Sequence, residues 1–467
     1  MEKYDVVVIG AGPGGYPAGI RASQLGARVA IVEKEELGGT CLNWGCIPTK
    51  TWIAAAGLSA ELADAQALGI VVKDVRVDFA AMAMHKNDVV DTLRNGVNQL
   101  LKANGIVLYN GAGSFKDRNR ISVKGKAGSA PVVLGAERTI IATGSKSAVP
   151  AFLPRHKRVI DSRAFLELKK LPRSLMVMGG GYIGCELACL AAQLGVEVTI
   201  VELLEDILVQ LDGDVRREVR SHMEKKLKIR ILTGNAIEDV KCGDKGVAAK
   251  VGKESIKADL LLVSVGRQPV TVGLELKNAG LSAGDRGFVG VDDHCRTAAA
   301  PVYAVGDVIG GMMLAHAATS EGIIAAENAC GGKLRRSESI VPAVIFTAPE
   351  AATVGVSEAD AKRDGLKVSI GKFPYRALGR ALAVARTEGF VKLIADAETD
   401  QVLGAAVVGV HATDLIAEAA IAVRNEMTVE ELGRTIHAHP TFGELWMEAA
   451  HAVHGTAVHA APSRRRK

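Results

Sequence analysis

Two glycine-rich turns, each set between a short apolar run and a helical pattern, are each followed 23 positions later by a glutamate, Gly10 to Glu33 and Gly179 to Glu202. Beyond about residue 345 the pattern changes to strands and helices without such a turn. Together these predict an α/β chain of two Rossmann-like dinucleotide-binding domains followed by a C-terminal α+β domain. A third observation is the pair Cys41 and Cys46, five positions apart just after the first unit.

The chain has 467 residues, enough for two to four domains, and its 51 glycines against 14 prolines suit many close turns. Residues 4–9 read as a β-branched strand, Gly10-Ala11-Gly12-Pro13-Gly14-Gly15 as a turn, and the pattern through about residue 25 as a helix. Gly10 permits the tight turn, Gly12 lets backbone approach a pyrophosphate, and Gly15 lets helix and strand pack closely. The helix N-terminus favours the phosphate charge, and Pro17 falls early in the helix where a missing N–H costs little. The next strand, residues 28–32, ends at Glu33, placed to bind ribose hydroxyls.

The second unit repeats this plan. Residues 175–178 read as a strand, Gly179, Gly181 and Gly184 punctuate the turn, and residues 196–201 lead to Glu202. Glu202 would bond a free 2′-hydroxyl and repel a 2′-phosphate, and Leu203, Leu204 and Glu205 bring no arginine, so NAD is expected rather than NADP. The cysteines follow the first unit, which makes its dinucleotide the one that exchanges electrons with sulfur: FAD is expected there.

Cys41 and Cys46 lie in Gly38-Gly39-Thr40-Cys41-Leu42-Asn43-Trp44-Gly45-Cys46-Ile47-Pro48-Thr49-Lys50, where glycines let the backbone bend close to a ligand. Two thiols this close could cycle between dithiol and disulfide, and spacing alone leaves a structural bridge or half a zinc site open. No second short-spaced pair of compact-knuckle type exists, and Cys185 and Cys189, one helical turn apart in an apolar run, read as small core residues. Residues 54–101 read as long helices, residues 106–135 as short strands and turns, and residues 390–394, 403–410 and 413–425 as two strands and a helix.

The formal net charge is +5, but Arg464, Arg465, Arg466 and Lys467 supply four of these charges, leaving +1 elsewhere and no basic face for nucleic acid. That tail reads as a solvated terminus. No run of about 18 uncharged apolar residues is present and no signal peptide precedes the first strand, so no membrane association and a cytoplasmic location are expected.

The Cys41–Lys50 stretch resembles the redox motif of the flavin-dependent pyridine nucleotide-disulfide oxidoreductases, most closely their lipoamide-linked members, and the resemblance covers nearly the whole chain. It implies a Cys41–Cys46 redox disulfide, with dihydrolipoamide as reductant, FAD as relay and NAD as acceptor. It implies a Lys50–Glu186 ion pair beside the flavin and Tyr182 covering its face. Asp307 would hold the ribityl chain, with Ala315 and the backbone around His316 and Ala317 against the ring and Gly266 on the second return strand beside cofactor. The stretch His437-Ala438-His439-Pro440-Thr441-Phe442-Gly443-Glu444 is similar to the family's His-Pro-Thr…Glu motif, making His439 the base and Glu444 its orienter, with His437 in a supporting role.

In the family this base comes from the other subunit, so the C-terminal unit is expected to be a dimerisation domain and the protein a homodimer. The expected division is 1–147 for FAD and the disulfide, 148–276 for NAD, 277–344 completing the FAD site, and 345–467 for dimerisation. No lipoyl-bearing extension precedes the first strand, so a separate lipoylated carrier is expected: the acyltransferase core of a 2-oxo acid dehydrogenase complex or a glycine-cleavage system. Glu202 argues against NADPH-driven members, and Cys330 as the last cysteine argues against a mercury-reducing one with a C-terminal pair.

Overall fold

In a computed structural model that describes residues 1–125, 130–336 and 340–461, the chain builds three large sheets in the expected order, with a three-stranded and a two-stranded sheet beside them. The four basic residues of the tail lie outside the described residues.

The first sheet has seven strands, with Val107–Asn110, Val29–Glu33, Lys3–Ile9 and Val132–Ile141 parallel and adjacent. Arg120–Lys124 and Ala112–Asp117 continue it antiparallel. Lys3–Ile9 is central and covered on both faces, which is why Val6, Val7 and Val8 form a continuous apolar run rather than alternating. Val302–Ala304 returns from far along the chain to pair with Val132–Ile141, so segment 277–344 is tied directly to the first unit.

The second sheet repeats the arrangement with five parallel strands, in the order Arg230–Leu232, Glu197–Val201, Ser174–Met178, Leu260–Val263 and Val159–Asp161. Helix Tyr182–Gln193 lies in its core, and Cys185 and Cys189 are buried there as small apolar residues. A two-stranded ribbon, Ser145–Ser147 against Arg267–Pro269, bridges the two units.

The third sheet is antiparallel, Ala343–Ile345, Ala351–Gly355, Val402–Val408, Phe390–Asp396 and Val368–Pro374. Helix Ala412–Arg424 packs on it through Ala412, Ile416, Ala419 and Ala422, the spacing of one helical face. Helix Glu444–Val453 packs on it through Leu445, Trp446 and Ala449. Among the described residues no helix is long and apolar enough to cross a membrane.

The helical reading of residues 54–101 needs one correction. Helix Cys46–Asp64 runs into a single tight turn at Ala65–Leu68, then 69–78 is irregular before helix Phe79–Ala103. Gly69 takes φ +80°, which ends the turn, and the exposed β-branched residues Val71, Val72, Val75 and Val77 have no helical face to bury. Asp78 then restarts the helix by accepting from the Ala81 amide at 3.0 Å.

Trp446 is fully buried, with its indole N–H donating to Leu415 O at 3.0 Å. Trp446→Ala removes that filling and leaves a carbonyl without its donor, at a cost of about 3–5 kcal/mol. The midpoint of urea unfolding should fall accordingly; an unchanged midpoint would contradict this packing.

Candidate active site

The two glycine turns are superimposable in their chemistry. Gly10 and Gly179 both take φ +104°, and a Cβ at either would lie within 2.3 and 2.5 Å of the carbonyl oxygens of Ala142 and Ser264 respectively. Gly15 and Gly184 bring each helix onto its turn, where a Cβ would meet the Gly10 and Gly179 carbonyls at 1.9 and 2.1 Å. Gly12 and Gly181 instead have room at the Cβ position and line the cavity.

The two glutamates match as well. Glu33 accepts from the Ala11 amide at 2.7 Å and the Glu35 amide at 2.8 Å. Glu202 accepts from Gly180 at 2.6 Å and Leu204 at 2.8 Å. Each carboxylate is thereby fixed at the mouth of its turn with lone pairs remaining for hydroxyl donors. Both cradles fit a dinucleotide: bare backbone for phosphate, an oriented acid for ribose.

The thiols sit between the cradles. Cys41 lies in helix Gly39–Trp44, and Cys46 is the first residue of helix Cys46–Asp64, with Gly45 breaking the two. Both are free thiols. Cys46 is held below the ordinary thiol range because the Cys41 thiol donates to it and the Lys50 ammonium lies nearby, together outweighing burial. Cys41, as the donor, is pushed the other way.

One turn beyond Cys46, Lys50 Nζ lies 2.7 Å from Glu186 Oε2 and over the Phe346 ring at 4.6 Å. Glu186 is buried, and its other oxygen accepts from the Phe346 amide at 2.9 Å. Tyr182 lines the same space, its phenol pushed up by burial.

A continuous cavity of about 1840 Å³ joins these features. It exceeds the roughly 300–1,000 Å³ of a pocket for one small ligand. Cys41, Cys46, Lys50, Gly10, Gly12, Glu33, Gly179, Gly181, Tyr182, Glu186, Glu202, Gly266, Asp307 and Ala315 all line it. Gly15 and Gly184 stand behind the lining, as close-packing positions do. Helix Ala315–Ala329 faces the cavity with its N-cap Leu314 and with Ala315 and Ala318, which are three residues apart. The side chains of His316 and Ala317 therefore turn away, and the His316 ring bonds Pro342 O at 2.7 Å.

His439 and Glu444 are joined, His439 Nδ1 to Glu444 Oε1 at 2.8 Å, but neither lines this cavity. Burial opposes the charged form of Glu444, yet the His439 ring and the Thr441 amide outweigh it and hold its carboxyl below the usual range. The His439 side chain is 77% exposed. His437 has Nδ1 2.8 Å from Thr435 O and Nε2 2.6 Å from Glu418 Oε1, so neither nitrogen is spare. The Glu418 carboxylate chiefly raises its pKa.

Sequence reasoning gave no role to Ser145 and Arg267. Ser145 Oγ donates to Asp307, Arg267 Nε donates to Ser145 Oγ at 2.6 Å, and the guanidinium lies 3.4 Å from Asp307. Only the ribbon pairing of their two short strands brings them together, so no local signal could have found them.

Residues 4–322 match the family model described as pyridine nucleotide-disulphide oxidoreductase, and residues 341–450 match its dimerisation domain. The chain is 45% identical to a dihydrolipoyl dehydrogenase of Haloferax volcanii, with 97% of each chain covered. It is 38% identical to one of Chlamydia muridarum, covering 99% of this chain and 100% of that one. Among solved structures it is similar to LpdA from Mycobacterium tuberculosis, with TM-score 0.90, 28% identity, and 96% and 99% of the two chains covered. It is also similar to the HOCl-induced flavoprotein disulfide reductase RclA from Escherichia coli in its Cu(II) complex, with TM-score 0.87, 29% identity, and 96% and 99% covered. With its paired cradles, its dithiol and these matches over both parts of the sequence, the chain belongs to the pyridine nucleotide-disulphide oxidoreductase family.

Proposed function

We propose that this chain oxidises protein-bound dihydrolipoamide to lipoamide with reduction of NAD to NADH. The observation that carries the reading is a free dithiol, Cys41 and Cys46, lining a cavity shared by two nucleotide cradles. The relatives named dihydrolipoyl dehydrogenase support the choice of substrate. Glu202, a carboxylate at the mouth of the second cradle, supports NAD over its 2′-phosphorylated counterpart.

In this reading His439, oriented by Glu444, takes the proton of a substrate thiol. The substrate thiolate attacks Sγ of Cys41 in the oxidised pair, forming a mixed disulfide and releasing Cys46 as thiolate. A lowered thiol pKa suits Cys46 to leave. The second substrate sulfur, deprotonated, then attacks the first, closing the lipoyl ring and freeing Cys41. The substrate thus loses two electrons and two protons. When bound in the first cradle, FAD supplies a two-electron relay between Cys46 and the nicotinamide. NAD⁺ ends as NADH, and one proton goes to solvent.

The dimerisation-domain match supports a homodimer, and the separation of His439 from its own chain's cavity fits delivery of the base by the second copy. The substrate arm belongs to a lipoylated carrier, in a 2-oxo acid dehydrogenase complex or a glycine-cleavage system, in the cytoplasm.

Anaerobic addition of dihydrolipoamide to the flavin-loaded protein should produce a long-wavelength thiolate-to-flavin band, and NAD should then restore the oxidised spectrum with formation of NADH. A flavin untouched by dihydrolipoamide but reduced by NADPH would overturn both assignments in favour of an NADPH-linked disulfide reductase.

The pH course of that band reads Cys46 directly. Its thiol is held low, so the thiolate persists below the ordinary thiol value of about 8.5 and is lost as pH falls through the lowered pKa. A band fading at or above the ordinary value would contradict the electrostatics of the pair.

His439→Gln should lower kcat for dihydrolipoamide oxidation by about 10²–10⁴-fold, the range for loss of a positioned base. Reduction of the flavin by NADH, which needs no thiol deprotonation, should keep its rate. Equal loss in both directions would remove His439 from the base role.

A further inference from the structure

Lys392 occupies the middle of strand Phe390–Asp396, 1% exposed, in the third sheet. Its Nζ lies 2.8 Å from Asp212 Oδ2, 2.8 Å from Asp214 Oδ1 and 2.6 Å from Glu358 Oε1. The carboxylate oxygens of these three residues lie within 4.8 Å of one another, a spacing that suits a cation, and the ammonium is that cation. Lys372 reaches the cluster from the same sheet, 3.3 Å from Asp214.

Asp212 is the informative partner. It is the N-cap of helix Gly213–Lys225, yet its side chain makes no capping bond. An aspartate at an N-cap ordinarily accepts from an amide of the first turn. Here the carboxylate is turned outward to Lys392 and to the Glu358 amide at 3.3 Å. Local helix stability is forgone for a contact with an element 180 residues further along the chain.

Asp212 also ends the loop that starts at the second cradle. That loop follows Glu202 directly; the Leu204 amide donates to Glu202 at 2.8 Å and the Leu208 amide to the Gly180 carbonyl at 2.9 Å. Gln210 and Asp212 line the cavity. The glycine turn, the ribose-facing carboxylate and loop 203–211 are therefore one hydrogen-bonded unit, anchored at its far end by a lysine from the third sheet.

We propose, resting on the reading of the second cradle as the NAD site, that Lys392 is a positioning residue for nicotinamide-nucleotide binding, acting through Asp212 and loop 203–211. Without the ammonium, three carboxylates repel across the junction and the loop loses its outer anchor. The thiols are not part of this connection, so the two half-reactions separate.

The test uses the flavin-loaded dimer with NADH as the probe. In Lys392→Met, NADH binding read from the concentration dependence of flavin reduction should weaken about ten-fold, with flavin reduction by dihydrolipoamide within about two-fold of the parent. Lys392→Arg, which keeps the charge, should recover part of the loss. Unchanged NADH binding, or equal loss in both half-reactions, would overturn the proposal. Should Lys392→Met fail to fold, Glu358→Gln removes one carboxylate at the rim and keeps the lysine. Weaker NADH binding with an intact thiol half-reaction then supports the proposal, and no change overturns it. A parent protein reduced by NADH but not by dihydrolipoamide would refute the substrate assignment while leaving the Lys392 comparison decisive.

Discussion

The two thiols meet only because the backbone breaks at Gly45. In an unbroken helix, residues five apart point about 140° away from each other. Here the short helix ends at Trp44, and Gly45 sits so close to the preceding turn that a Cβ would lie 2.9 Å from Thr40 O and 3.2 Å from Cys41 Cα. The long helix can then begin at Cys46, with Cys41 donating to its sulfur and Lys50 one turn further along the same face. Everything around the cavity serves this break: the first cradle lies before it in the chain, and the second unit supplies the Glu186 carboxylate that fixes Lys50.

The C-terminal motif shows how similar residues acquire different capacities. His437 and His439 are two positions apart, and each ring bonds a glutamate. His437 has acceptors on both nitrogens, a carbonyl and a carboxylate, and so has no lone pair to offer. His439 uses one nitrogen for Glu444, and its ring is largely exposed. Spacing in the chain cannot make this distinction, because it depends on Glu418 arriving from another helix.

What was legible in the sequence was local. The turn at Gly10 with Glu33 and its repeat at Gly179 with Glu202 each span one strand–turn–helix–strand unit, whose geometry is set by residues near one another. The exposed break at residues 69–78 was missed because an Ala- and Leu-rich flank resembles continuous helix until the β-branched valines are weighed. The Ser145, Arg267 and Asp307 cluster was illegible for a different reason: it depends on two three-residue strands pairing across 122 positions of sequence. Lys392 was equally silent, since a lysine in a strand reads as an outward-facing charge until the register buries it.

These long-range contacts share a physical logic. A buried charge is tolerated only when its partners are fixed, and so it constrains every element that supplies one. Glu186 is the clearest case. It rises from a helix of the second unit, gives one oxygen to Lys50 on the redox helix of the first, and gives the other to the amide of Phe346 at the start of the third. An apolar side chain there could fill the volume, but its contacts would tolerate sliding by an ångström. A carboxylate with both oxygens engaged does not tolerate it, because either displacement leaves a half-buried ammonium or amide without its acceptor and a buried carboxylate oxygen without its donor. The three units are therefore registered against each other beside the thiols, where the distance between sulfur and the two cradles matters most.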